Sequence, residues 1–306
     1  MGATEWLGSP VALITAAAFG ALWGSFLNVV IARLPLGQSI VQPGSHCFSC
    51  GHAVRPWDNV PIVSYLVLRG RCRHCGVRFS PRYLLIEALT AVMSAAVYWK
   101  FVAAAPEQMP VAVRMASYAV YFAFVGVLIA LSVIDLDTKR LPDVITLPAI
   151  PVLFLGAFGA HAAPWLDRLI GLAAGYLLVR IVADVYYYVR GREGLGLGDG
   201  KLLAVVGAVL GWRAIPAVIF MASFTGILVS VPLLLARHRS PRPPPDPAAT
   251  PAATPPGSDA GAPEPEPPSI RHTEVPFGPF LSASAIVVLL AGDSLWRWLL
   301  ARLDAW

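Results

Sequence analysis

Long stretches of this chain show no alternation of polar and apolar positions. Residues 10–32, 115–134 and 214–236 are uncharged over 23, 20 and 23 residues. Such runs predict membrane-crossing helices, because a hydrocarbon core of roughly 30 Å takes about 20 apolar residues in a helix. A helix also satisfies its own backbone polar groups, which lipid cannot do. Weaker runs fill the gaps: 88–105 around Lys100, 144–164 around His161, 169–188 around Arg180 and Asp184, then 202–212 and 275–292. The pattern predicts an all-α polytopic membrane protein with about eight transmembrane helices. The run 202–212 is short, covering only about 17 Å at the helical rise. It is expected either to recruit residues 198–201 or to lie inside the bundle.

Composition agrees. The chain is 57% hydrophobic and 13% charged, against about 25% charged for a soluble domain. That excludes an ordinary soluble fold, and nothing points to nucleic acid as a partner. No basic residue precedes the first run, so no cleavable signal peptide is expected. Between residues 34 and 82 lie six arginines (Arg55, Arg69, Arg71, Arg73, Arg78, Arg82) against one acid, Asp58. The positive-inside rule puts this loop in the cytoplasm. Lys139, Arg140, Arg190, Arg192, Lys201, Arg237, Arg239 and Arg242 then fall on the same side, and Arg297 and Arg302 on the other. Five regions follow: 1–33 a first span, 34–82 a cytoplasmic loop, 83–238 a membrane core, 239–274 a linker, and 275–306 a last span with the C-terminus. The linker is rich in Pro, Ala, Gly, Ser and Thr, a composition that predicts disorder.

All four cysteines fall in the loop, as Cys47-Phe48-Ser49-Cys50 and Cys72-Arg73-His74-Cys75, with 21 residues between the pairs. Two CxxC turns at that separation suit one tetrahedral zinc in a structural role. Unmetallated thiols or two redox pairs are the alternative, and a cytoplasmic location disfavours disulfides. A loop this poor in apolar residues needs such a staple. A small cytoplasmic four-cysteine zinc module is therefore expected.

Ionisable residues at a membrane edge need a reason. Asp135 ends one uncharged run, and Asp199 sits in Gly194-Leu195-Gly196-Leu197-Gly198-Asp199-Gly200-Lys201 just before the short one. Paired carboxylates in a partly dry site are what aspartic proteolysis requires: one ionised to take a proton from water, one protonated to polarise the scissile carbonyl. The alternating glycines would let a substrate backbone approach closely. A glycine-rich turn whose Asp199 caps the next helix reads the same residues without chemistry. Asp143, after Leu141-Pro142, reads as a helix N-cap. Asp137 reads as a solvated turn residue, and Arg180 with Asp184 as a helix-face pair. Glu87 faces either the substrate or, snorkelling, the interface.

Six ordered blocks resemble the prepilin peptidases, or type IV leader peptidases. They are Gly24 to Val30 with Arg33-Leu34-Pro35; Arg55-Pro56-Trp57-Asp58-Asn59-Val60-Pro61 continuing to Leu66; Arg82-Tyr83 through Glu87; Asp135 with Leu141-Pro142-Asp143; Glu193-Gly194 with Gly196-Leu197-Gly198-Asp199 and Lys201; and Pro276-Phe277-Gly278-Pro279-Phe280. The long proline-rich insert before the last block departs from the family pattern. The resemblance implies a multi-pass enzyme of the bacterial inner membrane. It would cleave the leader of type IV prepilins or type II secretion pseudopilins after a glycine, at the cytoplasmic face. Asp135 and Asp199 would be its catalytic pair, with Gly196, Gly198, Lys201, Asp143 and Glu87 in support. Bifunctional members then methylate the new amino terminus with S-adenosylmethionine.

No glycine-rich nucleotide fingerprint of the soluble methyltransferase type is present. The loop is the sizeable soluble part, so the cofactor is expected there. Its adenine would stack on Trp57 or Tyr65, and its carboxylate would pair with Arg55 or Arg71. Two readings compete with the enzyme. A zinc-stabilised membrane scaffold gives no reason for paired aspartates. An ion-coupled transporter using the same aspartates should show internal repeats, and none is evident.

Overall fold

The computed structural model describes residues 3–191, 196–239 and 276–303. Gly194 and its neighbours Arg192, Glu193 and Leu195, together with nearly all of the predicted linker, lie outside the described residues. The rest is all-helical. The helices are α1 (Ala3–Leu7), α2 (Pro10–Arg33), α3 (Val63–Val67), α4 (Arg82–Tyr98), α5 (Val111–Thr138), α6 (Asp143–Gly156), α7 (Trp165–Arg190), α8 (Leu197–Leu210), α9 (Ala214–Arg239) and α10 (Gly278–Leu303). Five stretches are long and apolar enough to cross a bilayer: Pro10–Leu36, Arg82–Ala103, Val111–Thr138, Trp165–Arg190 and Ala214–Pro232. Asp143–Gly156 and Gly278–Gly292 are shorter apolar helices. The chain is a multi-pass membrane protein.

α5 forms the centre. Phe124, Val125, Leu128 and Leu131 are fully enclosed, with α2, α4, α6 and α10 packed around it. Lipid-like surroundings supply no hydrophobic drive between helices, so close contact depends on small residues. Two interfaces use them. A Cβ on Gly24 of α2 would lie 2.8 Å from the Glu87 Cα of α4, and one on Gly207 of α8 would lie 2.2 Å from the Gly171 carbonyl carbon of α7. Neither position has room for a side chain.

The short run behaves as expected on both counts. α8 begins at Leu197, taking in residues 198–201. It is also enclosed by the bundle, with Leu202 to Val209 all buried. The 144–164 run is shorter than predicted, since α6 ends at Gly156. Lys100 and Arg168, charges beside apolar stretches, are met by carbonyl partners. Lys100, in a π-helical turn (Trp99–Ala103) after α4, donates to the Leu289 carbonyl at 2.7 Å. Arg168 is buried at the start of α7 and donates to the Ala163 and Phe154 carbonyls at 3.0 and 2.7 Å. Its guanidinium lies 4.8 Å from the ring centres of both Phe154 and Phe158. Arg180 and Asp184 pair at 2.9 Å, as their spacing predicts.

Candidate active site

Three helix ends and one connection meet where the two aspartates sit. Asp135 lies in the last turn of α5 and is buried. Asp199 lies in the first turn of α8, where the adjacent Gly198 abuts Leu141 of the connection between α5 and α6, six positions past Asp135. The two aspartates are 64 positions apart in sequence, and α6 and α7 lie between them. Asp199 makes no side-chain cap for α8, so the capping alternative is not what the chain adopts. The third element is the start of α10. The Gly278 N–H donates to Asp135 Oδ2 at 3.0 Å. A Cβ on Gly278 would stand 2.6 Å from that oxygen. A carboxylate oxygen at a helix N-terminus satisfies one of the donors that the helix leaves open.

The surrounding charges are tied together. Lys201, one turn into α8, reaches the Asp143 carboxylate at 2.5 Å. Asp143 is therefore not the N-cap that its sequence context indicated. Pro142 holds that position, and Asp143 opens α6 as the partner of Lys201. Asp137 is not in a turn but in the last turn of α5, and its carboxylate receives Arg82 of α4 at 2.5 Å. These two pairs link α6 to α8 and α4 to α5 around the aspartates.

The glycines divide by role. Gly200 is buried against α7, where a Cβ would meet Val179 at 3.2 Å, and Gly198 abuts Leu141 at 3.2 Å. Gly196 faces open space among the described residues. Gly200 thereby packs α8 on α7, Gly198 lies against the connection between α5 and α6, and Gly196 is the most open of the three.

Glu87 does not snorkel. It is 9% exposed, and its Oε2 accepts the Ile62 N–H at 2.8 Å, anchoring the loop to α4. Nearby, Asn28 of α2 donates to the Tyr83 carbonyl at 3.1 Å. Neither bond is legible from local sequence, because each joins residues at least 25 apart.

In the loop, the two CxxC segments form matching turns. Gly51 N–H returns to the Cys47 carbonyl and Gly76 N–H to the Cys72 carbonyl, at 2.8 and 2.9 Å. Both glycines have positive φ, 68° and 73°, which a glycine adopts without strain. The four sulfurs of Cys47, Cys50, Cys72 and Cys75 lie within 4.8 Å of one another, and those of Cys47 and Cys75 are 3.8 Å apart. Sulfurs about 2.3 Å from a tetrahedral zinc stand about 3.8 Å from each other, so the residues fit the ion. Backbone hydrogen bonds from Cys50 and then Ser49 draw the Cys47 thiol down to about 6, while, against a backbone hydrogen bond from Val77, burial and the neighbouring cysteines push the Cys75 thiol up to about 11; crowded thiols share their protons unevenly. Arg73 in the second turn grips Asp58 with three contacts of 2.6 to 3.0 Å. That hydrogen bonding holds the Asp58 carboxyl below its ordinary range.

The four residues expected to hold a cofactor are not all together. Tyr65 and Arg71 line one cavity of about 410 Å³, bounded by α2, α4 and the loop. Arg55 lines a smaller neighbouring one of about 220 Å³, which Arg71 also borders. Trp57 lines neither. It is 63% exposed, with the Arg55 guanidinium 5.7 Å above its ring.

Comparison with known proteins accounts for most of the chain. Residues 18–101 match the bacterial peptidase A24 N-terminal domain, and residues 122–231 match the type IV leader peptidase family. A prepilin leader peptidase/N-methyltransferase of Pseudomonas putida is 34% identical, with 94% of this chain and 93% of that protein covered. The protein of the same name from Pseudomonas aeruginosa is 34% identical, over 91% and 90%. The one from Myxococcus xanthus is 42% identical, over 71% of this chain and 62% of that protein. No solved structure matches. A multi-pass bundle with a four-cysteine loop and such identity over nearly full length has one reading: the chain belongs to the type IV leader peptidase family and is one of its membrane enzymes.

Proposed function

We propose that this chain is an aspartic endopeptidase of the bacterial inner membrane that processes prepilins or pseudopilins. It cleaves their leader after a glycine at the cytoplasmic face. It then methylates the new amino terminus with S-adenosylmethionine. The observation that supports the peptidase is the placing of Asp135 in the last turn of α5 and Asp199 in the first turn of α8, with Gly198 against Leu141 bringing those two helix ends together. Asp135, already accepting an N–H from Gly278, is the ionised partner and takes a proton from the attacking water. Asp199 is the protonated partner and donates to the carbonyl oxygen. The hydroxide equivalent adds to the carbonyl carbon, the C–N bond breaks, and the departing amine receives a proton from the pair.

Eight crossings put the cysteine loop, both aspartates and the Lys201–Asp143 and Arg82–Asp137 pairs on the cytoplasmic side. The arginine-rich loop supports that orientation. Cys47, Cys50, Cys72 and Cys75 hold one structural zinc. S-adenosylmethionine supplies an electrophilic methyl group, and the loop is where a polar cofactor meets the enzyme. Tyr65 offers an aromatic face there, and Arg71 a partner for a carboxylate.

Co-expression with a leader-bearing prepilin tests the reading. The substrate should run shorter on a gel, and mass spectrometry should show a free glycine-flanked cut with one added methyl. An uncut prepilin beside folded enzyme would overturn it.

A further inference from the structure

The cavity of about 410 Å³ where α2, α4 and the loop meet is separate from the aspartate pair, since neither Asp135 nor Asp199 is among its walls. Its volume is in the range of small-molecule sites. Its wall mixes apolar and polar side chains, and Glu87 shares it with the charged residues Arg33, Asp58 and Arg71, of which Asp58 is taken up by Arg73. That carboxylate is nearly enclosed. It accepts the Ile62 N–H, and Ser25 stands in the same cavity wall. No ion pair engages it among the described residues. Arg33, another wall residue, is turned away, donating to the Ser39 and Gly44 carbonyls at 3.2 and 3.4 Å. A buried carboxylate with no cation of its own favours a cation that arrives with the ligand.

Leader cleavage creates such a group, the new N-terminal amine of the mature chain. We propose that Glu87 receives this amino terminus, so that methyl transfer takes place in the α2–α4–loop cavity and not at the aspartates. This rests on the methyltransferase part of the function proposed above. The terminus binds the Glu87 carboxylate as an ammonium and gives one proton to water, which a group titrating near 8 does near neutrality; the freed amine stays hydrogen-bonded to the carboxylate, which orients its lone pair. The lone pair forms the N–CH3 bond as the C–S bond of the sulfonium donor breaks. The bonding pair stays on sulfur, leaving a neutral thioether. The methylated nitrogen then gives a proton to Glu87, which passes it to water.

The test uses the full chain, purified in detergent with zinc present, and a peptide beginning with phenylalanine. One version has a free amine and the other an acetylated one. Binding is measured by calorimetry with S-adenosylhomocysteine in place of the reactive donor. The intact enzyme should prefer the free amine by about tenfold to a hundredfold, the range for a charged hydrogen bond. Glu87→Gln should reduce that preference to within about threefold, while the affinity for S-adenosylhomocysteine stays the same. Glutamine keeps an acceptor for Ile62, and zinc content reports whether the loop survives. Should that variant lose its zinc, Ser25→Ala decides, with an expected fall of a few-fold in the preference. A free-amine preference that persists in the tested variant overturns the proposal. So does a loss that falls on S-adenosylhomocysteine instead, which would give Glu87 to the donor. A wild-type enzyme that binds donor but never methylates the free peptide refutes the methyltransferase reading as well; one that methylates it while Glu87→Gln keeps its preference refutes only this role.

Discussion

The aspartate end of the bundle and the cysteine loop lie side by side, yet they are held by different means. α8 is enclosed along most of its length, from Leu202 to Val209. Asp199 is positioned by contacts without room for adjustment, such as Gly207 against Gly171. The loop from 34 to 81 buries almost nothing; Cys47, Pro61 and Gly70 are its enclosed residues. Its order comes from two cysteine turns, the Arg73–Asp58 grip and the Glu87 bond to Ile62. Close packing gives one region its precision, and point attachments give it to the other. Damage to one should leave the other standing.

The strongest test of that separation is Asp135→Asn or Asp199→Asn. Each should lower leader cleavage by roughly a hundredfold to ten-thousandfold, the contribution of positioned acid–base groups. Metal content should not change, and a pre-cleaved pilin with a free N-terminal phenylalanine should still be methylated by the Asp199→Asn enzyme. Mass spectrometry of the product checks it. If that enzyme binds cofactor yet adds no methyl, the two regions share one site.

A smaller effect is expected from Gly278→Ala, whose Cβ would press on Asp135. Misplacing a catalytic group by about 1 Å costs about a hundredfold, so cleavage kinetics should fall by that order while the protein remains folded.

Cys72→Ser attacks the other region. Metal analysis should fall from about one zinc per chain toward none, and methyl transfer should fail. Cleavage should drop less than about tenfold, because Asp135 and Asp199 are held by helices. Loss of cleavage equal to that of the aspartate variants would break the comparison.

Within the loop, Asp58→Asn removes the acceptor of the Arg73 grip. Limited proteolysis of residues 55–75 should speed up by a few-fold, with zinc retained. Asp137→Asn should be the mildest. Its ion pair with Arg82 is about two-fifths exposed on both sides, and such pairs contribute little. Cleavage rates should stay within about twofold.

Much of this was legible in one dimension. Uncharged length marked the helices, because lipid tolerates neither bare charge nor bare backbone. The paired CxxC turns marked a metal-ligand cluster, because the turn itself aims two sulfurs at one point. These signals are local or additive, so sequence carries them.

Other features arise only when distant segments meet. Gly278 and Asp135 are 143 positions apart, and Glu87 finds Ile62 across 25. Asp143 looked like a cap because its neighbours are Leu141 and Pro142. It is a partner of Lys201 because α8 comes to lie beside α6. The alternating glycines suggest substrate contacts, and the neighbours that Gly198 and Gly200 also have, Leu141 and Val179, come from other parts of the chain. The sequence by itself determined the helices, the cysteine cluster and the two aspartates worth watching. Which groups touch was decided by tertiary structure, because hydrogen bonds and close contacts act over about 3 Å, a range that chain position does not encode.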